Sequence, residues 1–195
     1  MNIVLASNSP RRKELLGKIG IEEFEIISPD VDETVADNLS PAEIVEQLSL
    51  RKAQAAAKKV GPDDLIIAAD TVVAMDGAVL GKPHDEADAF AMLSALSSRE
   101  HHVYTGVTVL RGNEAVTQHE ETAVTFRDIG PDEIRGYIAT GEPMDKAGAY
   151  GIQERGALLV SGIHGDYFNV MGLPLFRLGR ILSGFGVDLL LGDHP

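Results

Sequence analysis

The sequence predicts an α/β fold built on a mixed β-sheet. Short apolar runs typical of strands alternate along the chain with capped segments typical of helices. Asp76-Gly77 also joins two neighbouring strand-like runs, which predicts a hairpin with a type I′ turn beside the parallel strands. Because the 195 residues contain no repeat and no long linker, we expect a single domain over residues 1–195, with a flexible tail over 185–195.

The first strand and the first two helices have clear local signals in the sequence. Residues 3–6 are apolar and predict a buried strand, and Ser9 and Pro10 then provide the cap and first position of a helix that Gly20 ends. A capping box, Ser40-Pro41-Ala42-Glu43, begins the second helix. The later predicted elements are helix 40–59, strand 65–69, the hairpin of 72–75 and 78–80, helix 85–96, strands 102–110 and 115–126, helix 131–139, a second hairpin of 158–161 and 167–170, and helix 173–182.

Composition excludes several classes of function. Seventeen Lys and Arg against thirty Asp and Glu give a net charge of −13. Such a charge repels polyanions, so we expect that the protein does not bind nucleic acid. The chain has no Cys, so disulfides, a zinc ribbon and a thiol nucleophile are excluded. No apolar run has the length of a membrane span and no targeting segment is recognisable, so we expect a cytoplasmic protein with no membrane partner.

The turn between the first strand and the first helix is the most informative segment. Arg11 and Arg12 fall in the first helical turn, where the helix dipole disfavours cations. With the hydroxyls of Ser7 and Ser9 and the free N–H groups of the helix start, they could form a phosphate cradle. The alternative is that Ser9 only caps the helix while the arginines are solvated or pair with acids such as Glu14.

Four more charged residues are candidates on weaker grounds. Lys52 in the second helix and Lys82 in Gly81-Lys82-Pro83 would each be ordinary surface lysines if taken alone. The Gly-Lys pair is not a phosphate-binding P-loop, because its glycine spacing is one residue short and Pro83 stands where a hydroxyl is needed. Asp70 ends an apolar strand, as general bases and metal ligands often do, although it could equally be a turn residue. Glu33 could join it at a divalent cation, which needs more than one carboxylate or water ligand.

The segment 145–153 is rich in small residues and fits neither a plain helix nor a plain strand. Its glycines would let a ligand approach the backbone, and Gln153 offers a donor and an acceptor suited to the edge of a nucleobase. The segment could instead be a tight connection packed on the sheet. The six histidines have no metal-ligand spacing, so we assign none of them a role.

Taken together, these motifs resemble those of the Maf nucleotide pyrophosphatases, in family order from residue 5 to residue 174. The matching segments are Leu5-Ala6-Ser7-Asn8-Ser9-Pro10-Arg11-Arg12, Glu14-Leu15-Leu16, Val31-Asp32-Glu33-Thr34, Arg51-Lys52-Ala53, Ala69-Asp70-Thr71-Val72, Gly81-Lys82-Pro83, Tyr104-Thr105-Gly106, Asp145-Lys146-Ala147-Gly148-Ala149-Tyr150-Gly151-Ile152-Gln153 and Val170-Met171-Gly172-Leu173-Pro174. The resemblance implies a Maf/inosine triphosphatase-like fold, with an elongated mixed sheet flanked by helices and a central cleft.

The resemblance also implies an activity: hydrolysis of a nucleoside triphosphate to the monophosphate and pyrophosphate, with Mg²⁺ or Mn²⁺ as cofactor. Asp70 resembles the family's general base and, with Glu33, its metal-side carboxylates. The residues that resemble its phosphate-side group are Ser7, Ser9, Arg11, Arg12, Lys52 and Lys82. A homodimer is a further expectation from the family.

Three positions indicate the substrate branch. Arg12, Thr71 and Gln153 resemble the branch that acts on dTTP and UTP rather than 7-methyl-GTP, and modified pyrimidine nucleotides are possible substrates of the same branch. Two alternatives stay open at this point: a non-catalytic nucleotide-sensing regulator of cell division and septum formation, and a nucleotidyltransferase, which the missing Gly-rich opening loop disfavours.

Overall fold

The computed structural model describes residues 2–36 and 38–191, and the chain divides into two compact units. The first unit comprises residues 1–70, 105–120 and 172–195, and the second comprises 71–104 and 121–171. The prediction of one domain over 1–195 stays a prediction. In the predicted tail, Phe185 and Val187 are buried, and residues 192–195 lie outside the described residues.

The predicted α/β fold with a mixed sheet is confirmed. The strands are β1 (Ile3–Ala6), β2 (Glu25–Ile26), β3 (Leu65–Met75), β4 (Ala78–Leu80), β5 (Glu100–Arg111), β6 (Glu114–Phe126) and β7 (Val160–His164). They form one sheet in the order β2-β1-β3-β5-β6-β7, with β4 paired to β3. β1 is parallel to β2 and β3, whereas the β3–β4 and β6–β7 pairs are antiparallel.

The helices begin where local chemistry predicts them. They are α1 (Pro10–Lys18), α2 (Pro41–Ala57), α3 (Glu86–Leu96), α4 (Pro131–Ile138), α5 (Tyr167–Met171) and α6 (Leu175–Gly184), with 3₁₀ turns at Glu142–Asp145, Ala147–Ala149 and Arg155–Leu159. The capping box of α2 is present: Ser40 Oγ accepts from the N–H of Glu43, and the Glu43 carboxylate accepts from the N–H of Ser40. No helix within the described part of the chain is long and apolar enough to cross a membrane.

Each unit has its own apolar core. In the first unit, side chains of β1, β3 and α2 pack together, among them Val4, Ile66 and Ala53. In the second, Leu93 of α3, Phe126 of β6 and other residues of α4 and β5 form a larger cluster. These cores fix the strands and helices that carry the candidate site residues.

Two predictions of local structure are wrong. The hairpin predicted over 158–161 and 167–170 is absent, because β7 pairs with β6 and residues 167–171 form α5. The Asp166 carboxylate accepts a hydrogen bond from the N–H of Phe168 (2.8 Å) and so supports the start of this short helix. Residues 65–69 and 72–75 form a single strand, so Asp70 lies inside β3 and not at a strand end.

Candidate active site

Ser7 organises the turn that joins β1 to α1. β1 pairs with β3 in parallel up to Ala6 opposite Ala68, so the chain leaves the sheet at Ser7 close to the position of Asp70. Ser7 Oγ accepts from the N–H of Ser9 (3.1 Å) and from Nη1 of Arg12 (3.2 Å). Ser9 is the N-cap residue as predicted, but its side chain makes no capping hydrogen bond to the described residues of α1. The turn is therefore held by Ser7, while the Ser9 hydroxyl is not committed to the cap.

Arg12 is fixed against the protein and is not a solvated surface residue. Its Nε donates to the carbonyl oxygen of Gly172 at 2.8 Å. Burial lowers the pKa of Arg12, the negative charge of Asp70 opposes that shift, and the charge of Arg11 adds to it. Arg11 and Asp70 thus both act on Arg12 electrostatically, whereas Glu14 pairs with Lys18 at 3.1 Å.

Lys52 connects the two predicted metal-side carboxylates. Its Nζ lies 2.5 Å from Oδ1 of Asp70 and 2.8 Å from Oε1 of Glu33. The side chains of Lys52 and Asp70 are only 12% and 11% exposed, whereas that of Glu33 is 62% exposed. The Lys52 ammonium group therefore lies within ion-pair distance of one buried and one exposed carboxylate.

Arg51 was missed by sequence reasoning as a residue that supports the site. Its Nη1 donates to the carbonyl oxygens of Asp32 (3.1 Å) and Thr34 (2.7 Å), on either side of Glu33. The N–H of Thr34 donates to the Asp32 carboxylate at 2.9 Å and closes the same turn. Arg51 and Lys52, neighbours on α2, therefore hold the backbone and the side chain of one loop. Their adjacency to a loop acid could not be read from the sequence, because it arises from tertiary packing.

Gly106 sets how closely α2 approaches the sheet. A Cβ at Gly106 would lie 2.2 Å from the carbonyl oxygen of Val45 on α2, a distance that no side chain tolerates. Nearby, the buried hydroxyls of Ser49 on α2 and Thr108 on β5 are 3.0 Å apart. Close backbone contact and this hydroxyl pair together position the helix that carries Lys52.

The remaining predicted site residues, Thr71, Lys82 and Gln153, belong to the second unit. Thr71 follows Asp70 in β3 and is partly buried. Lys82 is exposed, in the segment after β4, and within the described residues its ammonium group has no ion pair or hydrogen bond. Gln153 lies between the second and third 3₁₀ turns.

The segment 145–153 is tied to its surroundings at Gly148. Gly148 has a φ of +68°, and a Cβ there would lie 2.9 Å from Val73 on β3, so the chain is packed closely on the sheet as one of the two interpretations expected. Its N–H donates to the carbonyl oxygen of Gly81 at 3.0 Å, which connects this segment to the residues flanking Lys82. The tight connection does not conflict with a binding role for Gln153, five residues further on.

A structure of another protein has the same fold. The chain resembles a HAM1 protein from Coxiella burnetii with a TM-score of 0.55 and 19% identity, over 94% of this chain and 99% of that one. At this identity the likeness defines the class of fold, an α/β protein with a mixed sheet.

Sequence comparison defines the family. The family model described as "Maf-like protein" matches residues 2–185. A relative from Moorella thermoacetica, named dTTP/UTP pyrophosphatase, is 56% identical over 190 residues and 96% of each chain. One from Symbiobacterium thermophilum with the same name is 51% identical over 190 residues and 97% of each chain. The chain therefore belongs to the Maf-like proteins, and the predicted resemblance is confirmed.

Proposed function

We propose that the protein is a nucleoside triphosphate pyrophosphatase that hydrolyses dTTP and UTP to the monophosphate and pyrophosphate. Two relatives at 51% and 56% identity carry that name and cover nearly all of the chain. The observation on which the proposal mainly rests is the grouping of Arg12, Lys52, Glu33 and Asp70 beside the β1–α1 turn. In a protein of net charge −13, cations that are gathered around one buried carboxylate favour the binding of an anionic ligand at that place.

The phosphate-binding role fits the fixed cations. A guanidinium with a defined orientation can offer paired donors to phosphate oxygens, and the N–H groups at the start of α1 add further donors. We assign this role to Ser7, Ser9, Arg11, Arg12, Lys52 and Lys82. Lys82, exposed and without an ion pair within the described residues, is the member whose charge is already available to a ligand.

A divalent cation fits the donor set that Glu33 and Asp70 provide. Within the described residues no group of three or more His, Asp or Glu side chains could hold a metal ion. The two carboxylates of Glu33 and Asp70 both contact the Lys52 ammonium group. Mg²⁺ commonly keeps several waters and takes one or two carboxylates together with substrate phosphates. Glu33 and Asp70 would hold Mg²⁺ or Mn²⁺, which when bound neutralises phosphate charge and acidifies water.

Asp70 is the proposed general base. The reaction forms a bond from a water oxygen to the α phosphorus, breaks the α–β anhydride bond and releases pyrophosphate. Asp70 accepts the water's proton and orients its lone pair, while Lys52 holds the carboxylate oxygen in place at 2.5 Å. The fixed cations stabilise the charge that develops on the leaving pyrophosphate.

Arg12, Thr71 and Gln153 are the proposed determinants of the pyrimidine substrate. The Gln153 amide offers one donor and one acceptor group, which can pair with the complementary edge of thymine or uracil. Replacing Gln153 with Glu removes the donor, so we expect the dTTP-to-GTP ratio of kcat/KM to fall. An unchanged ratio would exclude Gln153 from base recognition.

The activity is tested by incubating the purified protein with dTTP, UTP, CTP, ATP, GTP and 7-methyl-GTP, each with Mg²⁺ or Mn²⁺, in water enriched in ¹⁸O. We expect dTTP and UTP to be cleaved fastest and ¹⁸O to enter the monophosphate, because water attacks the α phosphorus. Label in pyrophosphate would place the attack on the β phosphorus. Tight nucleotide binding without any pyrophosphate would contradict the proposal and favour a nucleotide sensor.

The base is tested by Asp70→Asn, with Asp76→Asn as the matched control. Asp76 is an exposed aspartate in the β3–β4 turn, paired with Arg99 at 2.6 Å. We expect Asp70→Asn to abolish turnover while the protein remains folded and binds dTTP, and Asp76→Asn to leave kcat near the wild-type value. A near-normal kcat in Asp70→Asn would rule out Asp70 as the essential base.

We further propose that the protein is a homodimer and acts in the cytoplasm on free nucleotides. We place Phe176 of α6, whose large apolar side chain is 78% exposed, in the subunit contact. Light scattering should give twice the monomer mass of 20.9 kDa. A monomer over the range of concentrations used for activity would contradict the dimer, and recovery in a membrane fraction would contradict the location.

A further inference from the structure

The loop 151–156, which carries Gln153, is fixed from outside by two residues. Glu142 Oε1 accepts a hydrogen bond from the N–H of Gly156 (3.1 Å), and Oε2 accepts from the N–H of Arg155 (3.1 Å). At the other end of the loop, the N–H of Gly151 donates to the hydroxyl of Tyr137 at 3.1 Å. Three backbone donors of one short loop are thus satisfied by two side chains on both sides of Gln153.

The two side chains also hold each other. The Tyr137 hydroxyl donates to Glu142 Oε1 at 2.9 Å. Burial raises the pKa of Tyr137, and the neighbouring Glu142 carboxylate raises it further, so the hydroxyl stays protonated and keeps this donor at neutral pH. Tyr137 lies on α4 and Glu142 in the 3₁₀ turn that follows, so both are supported by regular structure.

The loop is closed as tightly as its glycines allow. A Cβ at Gly156 would lie 2.1 Å from the carbonyl oxygen of Gly151 and 2.6 Å from the Tyr137 hydroxyl. The Lys146 side chain covers Gly151, where a Cβ would come within 2.7 Å of its Cε, and its Nζ donates to the carbonyl oxygen of Glu142 at 2.6 Å. The two ends of the loop therefore meet, and Gln153 lies between them in the chain.

Gln153 depends on this backbone for its orientation. Within residues 2–36 and 38–191 its amide group makes no hydrogen bond, so no side-chain contact of that kind directs it. An amide that must present its donor and acceptor to one base edge needs a fixed support. The support in this unit is the pair of residues that bind the loop's N–H groups.

We propose that Glu142 and Tyr137 are positioning residues for base selection, which hold the 151–156 loop so that Gln153 can recognise a pyrimidine. This inference rests on the proposed function, in which Gln153 reads the base. Neither residue is expected to touch the reacting phosphates. Their loss should lower discrimination between bases without removing the hydrolytic machinery.

The test compares Tyr137→Phe and Glu142→Gln with a matched pair elsewhere in the second unit. The Tyr104 hydroxyl donates to Glu121 Oε1 at 2.8 Å between β5 and β6, so Tyr104→Phe and Glu121→Gln remove the same kind of contact. We expect Tyr137→Phe and Glu142→Gln each to lower the dTTP-to-GTP ratio of kcat/KM about tenfold, from the loss of one or two hydrogen bonds. GTP turnover should change little, and the control variants should keep the wild-type ratio.

Hydrogen exchange of the loop provides a readout that does not depend on activity. We expect the amides of Gly151, Arg155 and Gly156 to exchange faster in Tyr137→Phe and Glu142→Gln and at wild-type rates in both controls. Unchanged exchange, or faster exchange with an unchanged dTTP-to-GTP ratio, would overturn the inference. Should Glu142→Gln not fold, Tyr137→Phe decides, since it removes only one oxygen atom. A wild-type protein without pyrophosphatase activity would instead overturn the proposed function, and the base-selection role with it.

Discussion

Replacing Lys52 with Met should destabilise the protein as well as inactivate it. Met keeps the unbranched stem of the side chain and removes the ammonium that lies 2.5 Å from Asp70 and 2.8 Å from Glu33. Glu33 is 62% exposed and returns to water at little cost, whereas Asp70, 11% exposed, loses its nearest cation inside the protein. The stability effect therefore comes mainly from Asp70.

The magnitude follows from the burial of this pair. Removing one partner of a buried ion pair costs about 3–5 kcal/mol, because the other charge stays buried without compensation. The nearby positive charge of Arg12, which Asp70 already influences, offsets part of this cost. We therefore expect a loss of about 2–3 kcal/mol, or about 4–12 °C in Tm for a chain of this size.

The assay is thermal and urea denaturation without nucleotide or metal, on Lys52→Met, Asp70→Asn and the double variant. The double variant should recover at least half of the lost stability, since no unpaired buried carboxylate is left, and should still lack activity. Lys18→Met is the control, because the Lys18–Glu14 pair is about half exposed on each side and should contribute at most about 0.5 kcal/mol. A Lys52→Met protein with wild-type Tm, or a double variant no more stable than Lys52→Met, would refute the reasoning.

Three further predictions concern other parts of the molecule. Burial, with a smaller effect of His102, lowers the pKa of His101 from 6.5 to about 4. The buried neutral imidazole therefore contributes its full stability above pH 6.5, and this contribution is lost as the pH falls towards 4. The loss of stability between pH 6.5 and pH 4 is about 3 kcal/mol in total. Denaturation at several pH values should show that this loss is smaller in His101→Gln and unchanged in His102→Gln. Arg51→Met should raise the Mg²⁺ concentration needed for half-maximal activity several-fold and leave Tm within about 2 °C, whereas an unchanged Mg²⁺ dependence would contradict its role at the Glu33 loop. Gly106→Ala should lower the free energy of unfolding, measured by urea denaturation, by about 3 kcal/mol or more. Gly17→Ala is the control, because a Cβ there meets nothing within 4 Å, and should leave the protein as stable or up to about 1 kcal/mol more stable. Equal stability of the two variants would contradict the close contact between Gly106 and α2.

The predictable part of the fold is the part set by local chemistry. Pro at the first helical position and the Ser40–Glu43 capping box identify the starts of α1 and α2 because they act within one turn of the chain. The type I′ turn is likewise local: Asp76 and Gly77 have φ values of 52° and 79°, as such a turn requires. Elements of this kind can be predicted from a few neighbouring residues.

The wrong predictions involve contacts that are distant along the chain. The aromatic and β-branched residues of 167–170 favour a strand by propensity, yet Asp166 and the buried contacts of Asn169 hold this segment as α5. The Asn169 amide donates to the carbonyl oxygen of Val103, 66 residues away. No window of local sequence contains that partner, so propensity alone gives the wrong element.

The candidate site divides in the same way. Family motifs identify Lys52 and Glu33 as residue types, but their contact joins a helix to a loop and was not predictable from spacing. Arg51 and Glu142 were missed because each acts on backbone groups of a loop, for which a sequence has no motif. Arg51 lies inside the matching segment Arg51-Lys52-Ala53, whereas Glu142 lies outside every matching segment.

The energetics of the ion pairs argue that the Lys52 group is maintained for function. Exposed pairs such as Lys18–Glu14 cost little to form and contribute about 0.5 kcal/mol or less. A buried pair is different: apolar residues of similar volume are often as stable or more stable, so stability alone does not explain why Lys52 and Asp70 are charged. Stability does not require these charges, which lie beside Arg12 and the start of α1. Anion binding and proton transfer do require charged groups at such a place. The double variant separates the two explanations, because it can restore the stability of the fold but not the charges that the proposed reaction uses.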